Sequence, residues 1–274
     1  MIELNEVTRA FGRKTAVDRL TFTVRGGELF ALLGPNGAGK TTTIKMLVGL
    51  LRPDGGTIRI DGVDVVAEPR RAVASLGYVP DEPFLYDRLS GRELLEFVGR
   101  MRGLSGETLA AAIARQSEPF ALEAFLDDLI ETYSHGMKQR LVFAAALLHA
   151  PRALVVDEPM VALDPRHVRV VKDLLRRQVA EGAAVLMSTH TLAIAEEIAD
   201  RIAILDRGRL RFLGTVAELR EASSAPHHSL ETLFLELTDA DPPASDAPPS
   251  AAPAGAEAAG RREAAPDPAA SPRP

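Results

Sequence analysis

The sequence has 274 residues, of which 46% are hydrophobic and 26% charged, ordinary values for a globular protein with one large or two small domains. Its formal net charge of −6 argues against a nucleic-acid surface, which needs a basic patch, and its lack of cysteine excludes disulfides and thiolate metal sites. Residues 1–6 are acidic and alternating, so we do not expect a signal peptide, and the longest apolar run, 141–148, is far shorter than the ~20 residues that span a bilayer. We therefore expect no nucleic-acid partner and no membrane crossing by this chain alone.

Two segments near the N-terminus alternate between apolar and polar residues and predict β-strands. The first contains Ile2, Leu4 and Val7 and is predicted to lie at the edge of a sheet; the second covers 20–24. Between them, Phe11 is an aromatic residue in a polar loop. It could stack on a nucleotide base or pack into the core, and the spacing favours neither.

The segment 29–42 carries the motif around which the rest of the chain is organised. Five apolar residues, 29–33, predict a buried parallel strand, and residues 41–48 predict a helix. The sequence between them fits G-x-x-x-x-G-K-[ST], the phosphate-binding loop, in the strand–loop–helix context that this motif requires. Its glycines let backbone N–H groups point at an anion, Lys40 supplies a cation for the β- and γ-phosphates, and Thr41 can ligate Mg²⁺. The predicted phosphate-binding residues of this segment, which become the ATP-binding residues under the resemblance given below, are Gly34, Pro35, Asn36, Gly37, Ala38, Gly39, Lys40, Thr41 and Thr42.

The middle of the chain changes composition. Strands are predicted at 57–60 and 76–79, and the Pro80-Asp81-Glu82-Pro83 segment that follows is by itself typical of a solvated turn. Ser90 and Glu93 predict a capping box for a helix that ends near residue 102, and residues 105–130 are predicted to be helical with breaks. A helical subdomain at about 88–150 is therefore expected within a chain that otherwise alternates strands and helices.

The segment Tyr133-Ser134-His135-Gly136-Met137-Lys138-Gln139 opens the next predicted helix. Ser134 is its expected N-cap. A serine and exposed N–H groups at a helix start can bind an anion, although such a segment on its own is more often only a cap.

Paired acids follow the next apolar strand, which begins at Ala153 and ends in Asp157 and Glu158. Open α/β sheets bind ligands at the carboxyl ends of their strands, where an aspartate suits Mg²⁺ and a glutamate can act as a base on water. Paired acids can also simply open a helix, but downstream of a phosphate-binding loop the catalytic interpretation is favoured. A further buried strand, 184–187, precedes His190, which could reach a γ-phosphate or be a structural residue.

The C-terminal part is predicted to contain strands at 201–205 and 210–213 and helices at about 215–222 and 229–237. We interpret His227 and His228 as solvent-facing residues rather than metal ligands. Residues 239–274 are rich in alanine, proline and serine without large apolar side chains, so we expect a disordered tail.

Taken together, these motifs resemble the ATP-binding subunit of an ATP-binding cassette (ABC) transporter over residues 1 to about 238. Residues 34–41 match Walker A, 154–158 match Walker B, and 133–139 resemble the signature motif, usually L-S-G-G-Q. Leu163-Asp164 match the D-loop and His190 matches the switch histidine. The resemblance implies an α/β fold: a P-loop NTPase core with an N-terminal antiparallel β subdomain and an inserted α-helical subdomain. It also favours Phe11 as the adenine-stacking aromatic.

Three residues depart from the family pattern. His135 replaces the first glycine of the signature, Met160 replaces the threonine that usually follows Glu-Pro, and Asp81 stands where the Q-loop glutamine is usual. A carboxylate at this last position can still ligate Mg²⁺ or hold water, but it is shorter by one methylene and charged.

The resemblance implies a nucleotide-driven dimer, of identical or different subunits, with ATP and Mg²⁺ as cofactors. Glu158 would polarise water, His190 would contact the γ-phosphate, and Thr41, Asp81 and Asp157 would be the metal ligands. The ATP of the partner subunit would be contacted by Ser134, His135, Gly136, Met137, Lys138 and Gln139, with Asp164 in the D-loop.

The resemblance further implies a cytoplasmic protein, peripheral on the inner face of the membrane, that energises integral membrane permease subunits. Residues 77–86 and 229–237 resemble the exporter branch, whose permeases move drugs, lipids, polysaccharides or peptides outward. Two alternatives remain: a soluble cassette ATPase acting on ribosomes or DNA, and a regulatory subunit that hardly hydrolyses ATP. The single Walker A motif, the absence of cysteine and the absence of a basic patch argue against the first alternative. Asp81 and His135 keep the second open, although Glu158 and His190 argue against it.

Overall fold

The structure is a computed structural model that describes residues 1–160, 165–222 and 229–239. The D-loop residues Leu163 and Asp164, the pair His227-His228 and the predicted tail from residue 240 onward lie outside these ranges.

Ten strands and nine α-helices occur in the described ranges. In chain order they are β1 (Ile2–Phe11), β2 (Lys14–Val24), β3 (Glu28–Leu33), α1 (Lys40–Leu47), β4 (Gly55–Ile60), β5 (Val63–Asp64), α2 (Pro69–Ala74), β6 (Leu76–Val79), α3 (Gly91–Met101), α4 (Gly106–Ser117), α5 (His135–Leu147), β7 (Ala153–Asp157), α6 (Pro165–Ala180), β8 (Ala184–Thr189), α7 (Leu192–Ile198), β9 (Arg201–Asp206), β10 (Arg209–Gly214), α8 (Val216–Ala222) and α9 (Leu230–Asp239).

The N-terminal sheet is antiparallel and has the strand order β2-β1-β4-β5. Ile2 pairs with Val24 on one side and with Ile60 on the other, so β1 is an interior strand and the edge-strand prediction is wrong. The polar residues of β1 alternate with buried ones because one face of the sheet is away from the core, as an antiparallel sheet allows for interior strands too.

The central sheet has the order β10-β9-β3-β8-β7-β6, and all its pairs are parallel except β10 with β9. Every residue of β3 is buried, as a run of apolar residues predicts for a strand covered on both faces. Because β3, β8, β7 and β6 are parallel, the segments that follow them all begin at the same edge of the sheet. This edge receives the phosphate-binding loop, His190, the Asp157-Glu158 pair and Asp81.

Alternate residues of β3 separate two hydrophobic cores. Leu29, Ala31 and Leu33 belong to the core shared with the helical subdomain, whereas Phe30 and Leu32 belong to the core shared with the N-terminal sheet and α1. The same strand that leads into the loop is therefore fixed from both faces, which holds the start of the loop in place.

The helical subdomain contains α3, α4 and α5. The predicted capping box of α3 is confirmed: the Glu93 N–H donates to Ser90 Oγ at 3.2 Å, and the Ser90 N–H donates to Glu93 Oε2 at 2.8 Å. Residues 118–132 form turns and two short 3₁₀ helices rather than the longer helix expected up to 130. Tyr133 closes this segment by donating from its hydroxyl to the Phe125 carbonyl at 2.6 Å.

None of the helices in the described ranges combines the length and apolar character that a membrane span requires.

Candidate functional site

The loop after β3 has the backbone geometry of an anion cradle. Gly37 and Gly39 have positive φ angles of 83° and 109°, a region that residues with a Cβ rarely adopt. A Cβ on Gly39 would also lie 2.5 Å from the Ala16 carbonyl oxygen, so only glycine fits there. Helix α1 begins at Lys40 with no side chain capping its first turn, which leaves N–H groups at its positive dipole end for a ligand.

Lys40 is a buried cation at the start of this helix. Its Nζ donates to the Gly34 carbonyl at 2.7 Å, so the side chain folds back over the loop that precedes it. Burial lowers the pKa of Lys40, whereas the nearby carboxylates of Glu158 and Asp157 oppose this shift. An ammonium group held in the loop beside two carboxylates is a suitable partner for a polyphosphate.

Asp157 ends β7 and is almost completely buried. Its Oδ1 accepts a hydrogen bond from the Ser188 hydroxyl, whereas its Oδ2 is buried without a hydrogen-bond partner in the part of the chain that the structure describes. Burial raises the pKa of Asp157, the carboxylates of Asp81 and Glu158 raise it further, and the Ser188 hydrogen bond and Lys40 lower it. A buried carboxylate oxygen with no partner is costly, and a divalent cation would satisfy it.

Glu158 follows Asp157 with a φ angle of +47°, unusual for a residue with a side chain. Its N–H lies 3.2 Å from both the carbonyl oxygen and the hydroxyl of Ser188, and these contacts fix the strained backbone. Its Oε2 lies 2.9 Å from His190 Nδ1 and 3.3 Å from the His190 N–H. The Glu158 carboxylate is thus held by groups at the end of the neighbouring strand.

Lys40, Glu158 and His190 open onto one cleft with a volume of 520 Å³, whereas the predicted site residues Gly34, Ala38 and Asp157 are not among the described residues that line it. Phe11, whose side chain is half exposed, lies on its wall, with the Arg9 guanidinium carbon 4.9 Å from the ring centroid. Asp81 is exposed and its Oδ1 accepts the Glu82 N–H at 2.9 Å. The lining residues are Phe11, Lys14, Ala16, Pro35, Asn36, Gly37, Gly39, Lys40, Thr41, Thr42, Asp81, Glu82, Glu158 and His190.

The structure does not bring the signature-like segment to this cleft, since none of residues 133–139 is among the described residues that line it. Ser134 is the N-cap of α5, as predicted, and its Oγ accepts the Met137 N–H at 3.3 Å. His135 is exposed, and Lys138 Nζ lies 3.2 Å from Asp87 Oδ1. Gln139 is buried, and its Oε1 has no hydrogen-bond partner within the described ranges.

Sequence reasoning did not select Lys14, Glu82 or Ser188. Lys14 begins β2 directly after the turn that follows Phe11. A cation so close in sequence to a candidate for base stacking could have indicated that Lys14 belongs to the site. Ser188 had no signal in its own segment, because its role depends on pairing with a strand 31 residues earlier.

A larger cleft of 690 Å³ lies away from these motifs, with Arg115, Arg152 and Arg177 among its lining residues. None of the predicted site residues lines it, and it contains no arrangement that resembles the acid, lysine and loop set described above. Volume alone therefore does not identify the site.

Comparison with known proteins identifies the family. Residues 17–161 match the family model described as ABC transporter. This chain belongs to the ABC transporter family. It is 40% identical over 221 residues to the daunorubicin/doxorubicin resistance ATP-binding protein DrrA of Streptomyces peucetius, covering 81% of this chain and 67% of that protein. It is also 40% identical over 208 residues to Nod factor export ATP-binding protein I of Paraburkholderia xenovorans, covering 76% of this chain and 68% of that protein.

A solved structure described as the ATP-binding subunit of an ABC transporter superposes on this cassette with a TM-score of 0.82. The two are 34% identical, and the match covers 86% of this chain and 99% of that one. The family prediction and the α/β fold prediction are therefore confirmed, and the chain is an ATP-binding subunit of the ABC type.

Proposed function

We propose that this cassette binds ATP with Mg²⁺, hydrolyses it, and uses the cycle to energise export through a separate membrane permease. The observation that carries the proposal is the common cleft, which is lined by a glycine loop with its buried lysine and by an oriented glutamate. The carboxylate of Asp157, which precedes this glutamate, has a buried oxygen without a partner among the described residues. A binding module without hydrolysis would not need Glu158 to be held by His190.

The loop and the start of α1 hold the phosphates. Backbone N–H groups of the loop and the Lys40 ammonium group would surround the negative charge, and the adenine ring would stack on Phe11, which also lines the cleft. The Arg9 guanidinium packs on the Phe11 ring and favours the orientation in which the ring can stack.

Mg²⁺ fits the chemistry of the residues that remain. Asp157 provides a buried oxygen without a partner, Thr41 provides a hydroxyl at the start of α1, and Asp81 provides a carboxylate on the cleft wall. Bound there, the ion would neutralise charge that develops on the phosphates. Asp81 in place of glutamine gives this set an additional negative charge.

Hydrolysis requires a group that accepts a proton from water, and Glu158 is placed to do so. Its carboxylate is mostly shielded, points into the cleft and is held at 2.9 Å by His190 Nδ1. His190 is itself more than half exposed, so it can contact both Glu158 and the terminal phosphate of a nucleotide in the cleft.

The separation of the signature-like segment from the cleft supports a dimer. In a two-subunit arrangement, residues 134–139 of one subunit would contact the ATP bound to the other, using the N–H groups at the start of α5. Asp164, outside the described residues, would lie in the D-loop between the two subunits. The partner cassette is either a second copy of this chain or a homologue.

An exposed apolar surface supports a permease partner. The surface comprises Phe84 and Tyr86 in the segment after β6 and Phe97 and Met101 on α3, with side chains 44–93% exposed. The Tyr86 and Phe97 rings pack edge to face with centroids 6.1 Å apart, so the segment after β6 contacts α3 at these two residues. Such a cluster indicates a protein-binding surface, and it directly follows Asp81 of the cleft. We place the cytoplasmic part of the permease here, with the cassette peripheral on the inner membrane face.

Two relatives are named for drug resistance and for Nod factor export, which supports an outward direction of transport. The exported compound would be selected by the permease.

The test has two arms. Purified protein should release phosphate from ATP with Mg²⁺ but not with EDTA, and equal rates would contradict the nucleotide site. In membranes of the host organism, the double variant Phe84→Ser with Met101→Ser should lose membrane association while its phosphate release in solution stays at the parent rate. A variant that remains bound like the parent would contradict the permease surface without affecting the ATPase assignment.

A further inference from the structure

Ser188 connects the two acids that end β7. Its hydroxyl donates to Asp157 Oδ1 and lies 3.2 Å from the Glu158 N–H, for which it is an acceptor. The Ser188 side chain is completely buried, so water does not compete for either bond. The Ser188 hydroxyl thus donates its proton to the Asp157 carboxylate and accepts the backbone N–H of Glu158 with a lone pair.

Strand pairing places this hydroxyl. In the parallel pair β7–β8, Asp157 and Ser188 are direct register partners, so their side chains project from the same face of the sheet at its carboxyl edge. Glu158, the next residue along the chain, therefore lies beside the end of β8, where the Ser188 carbonyl also accepts the Glu158 N–H. The contact belongs to the core of the sheet rather than to a mobile loop.

The two bonds have different consequences for the site. The bond to Asp157 occupies Oδ1 and fixes the carboxylate plane, so that Oδ2 is the oxygen left without a partner among the described residues. The bond from Glu158 helps to hold the backbone at a φ angle of +47°, the conformation in which the carboxylate reaches His190.

We propose that Ser188 is a positioning residue that aims Asp157 at the metal and Glu158 at the attacking water. This inference rests on the proposed function, since it assigns Ser188 a role in the same ATP site. Groups that orient metal ligands typically contribute about 10- to 100-fold to metal affinity or activity.

Three substitutions separate the hydroxyl from the volume that it fills. Ser188→Ala removes both bonds; Ser188→Thr keeps the hydroxyl on a residue that strands accommodate; and Ser188→Cys keeps nearly the same volume with a weak donor. Ser117→Ala is the matched control, because Ser117 is also completely buried but its Oγ has no hydrogen-bond partner among the described residues.

Binding of a fluorescent ATP analogue is measured in EDTA and in Mg²⁺, together with kcat and KM for phosphate release. For Ser188→Ala we expect the affinity in EDTA to match the parent, the gain from Mg²⁺ to shrink about 10-fold or more, and kcat to fall about 10- to 100-fold. Ser188→Thr should restore most of both quantities, Ser188→Cys should be intermediate, and Ser117→Ala should match the parent.

Equal Mg²⁺ dependence and kcat in parent, Ser188→Ala and Ser188→Cys would overturn the inference. If Ser188→Ala does not fold, Ser188→Cys decides, and parent-like behaviour of that variant overturns it as well. A parent protein that neither binds the analogue nor releases phosphate would instead contradict the proposed function itself.

Discussion

His190 Nδ1 lies 2.9 Å from Glu158 Oε2, and the His190 N–H contacts the same oxygen at 3.3 Å. The two residues follow neighbouring parallel strands, β8 and β7, so the sheet fixes the distance between them. Their side chains differ in exposure, 58% for His190 and 17% for Glu158. The histidine therefore reaches from solvent over a shielded carboxylate, an arrangement that can orient a base and still contact a ligand.

Replacing Lys40 should abolish ATP binding or hydrolysis. Lys40→Ala removes the buried cation that the loop holds for the β- and γ-phosphates. Because a buried ammonium group is also removed, folding must be checked by circular dichroism. Binding of a fluorescent ATP analogue and phosphate release are the measurements, and parent-like values for both would show that the loop is not the nucleotide site.

Replacing Phe11 should weaken nucleotide binding and leave the fold intact. The half-exposed ring packs little of the core, so the melting temperature of Phe11→Ala should stay close to that of the parent. Stacking of a base on an aromatic ring contributes about 1–3 kcal/mol, so KM for ATP should rise roughly 5- to 150-fold. Phe84→Ala, at another exposed phenylalanine away from the cleft, is the control and should keep the parent KM. If Phe11→Ala and Phe84→Ala have similar KM values for ATP, Phe11 does not bind the nucleotide.

The parts of the site that were predictable from sequence are encoded locally. The loop 34–41 and the strand before it were found because spacing, glycines and apolar residues lie within one short segment. The capping box at Ser90 and the N-cap Ser134 are also local patterns, and both are present. Local hydrogen bonds need no knowledge of the rest of the fold.

The features that were missed depend on distant pairing or on short elements. β1 is an interior strand only because β4, about 50 residues later, pairs with it, and Ser188 acquires its partner only through β7. Helices α2 and α7 have six and seven residues, too few to show a helical period. Pro69 at the start of α2 was nevertheless a usable signal.

His149 should make folding stability sensitive to acid. It follows α5 and is partly buried, with Nε2 3.2 Å from the Leu76 carbonyl. Burial lowers the pKa of His149 to about 4, and the charge of Arg102 adds to this. Below pH ~6.5 the unfolded chain takes up a proton that the folded chain does not, so stability is lost as the pH falls toward 4.

His149→Gln keeps an N–H donor for Leu76 but cannot take up the proton. Urea unfolding of parent and variant at pH 7.0 and pH 5.0 should show that the parent loses more stability than the variant over this interval. Carboxylates elsewhere titrate in both proteins, so their effect on stability cancels when the loss in the variant is subtracted from the loss in the parent. Equal losses would mean that the histidine is not held neutral in the folded state.

Replacing Glu158 with glutamine is the sharpest test of the mechanism. Glu158→Gln is nearly isosteric and keeps an oxygen that can accept the His190 N–H, so folding and ATP binding should survive. It removes the carboxylate that would accept a proton from water, so phosphate release should fall by about 10²-fold or more, the range that a positioned base contributes. Glu107→Gln is the matched control, because Glu107 is an exposed acid that does not line the cleft, and its turnover should stay close to the parent value.

The same variant tests the dimer, because ATP that is not hydrolysed should hold two subunits together when residues 134–139 of each contact the nucleotide of the other. We would measure mass in solution by light scattering, with ATP in Mg²⁺ and in EDTA. Glu158→Gln should form a dimer with ATP, and the parent should return to monomer as ATP is consumed. A monomer under all conditions with normal turnover would contradict both the base assignment and the dimer. A monomer with lost turnover would support the assignment of Glu158 as the base. Dimerisation would then depend on the permease, since the membrane partner would supply the contacts that ATP alone does not.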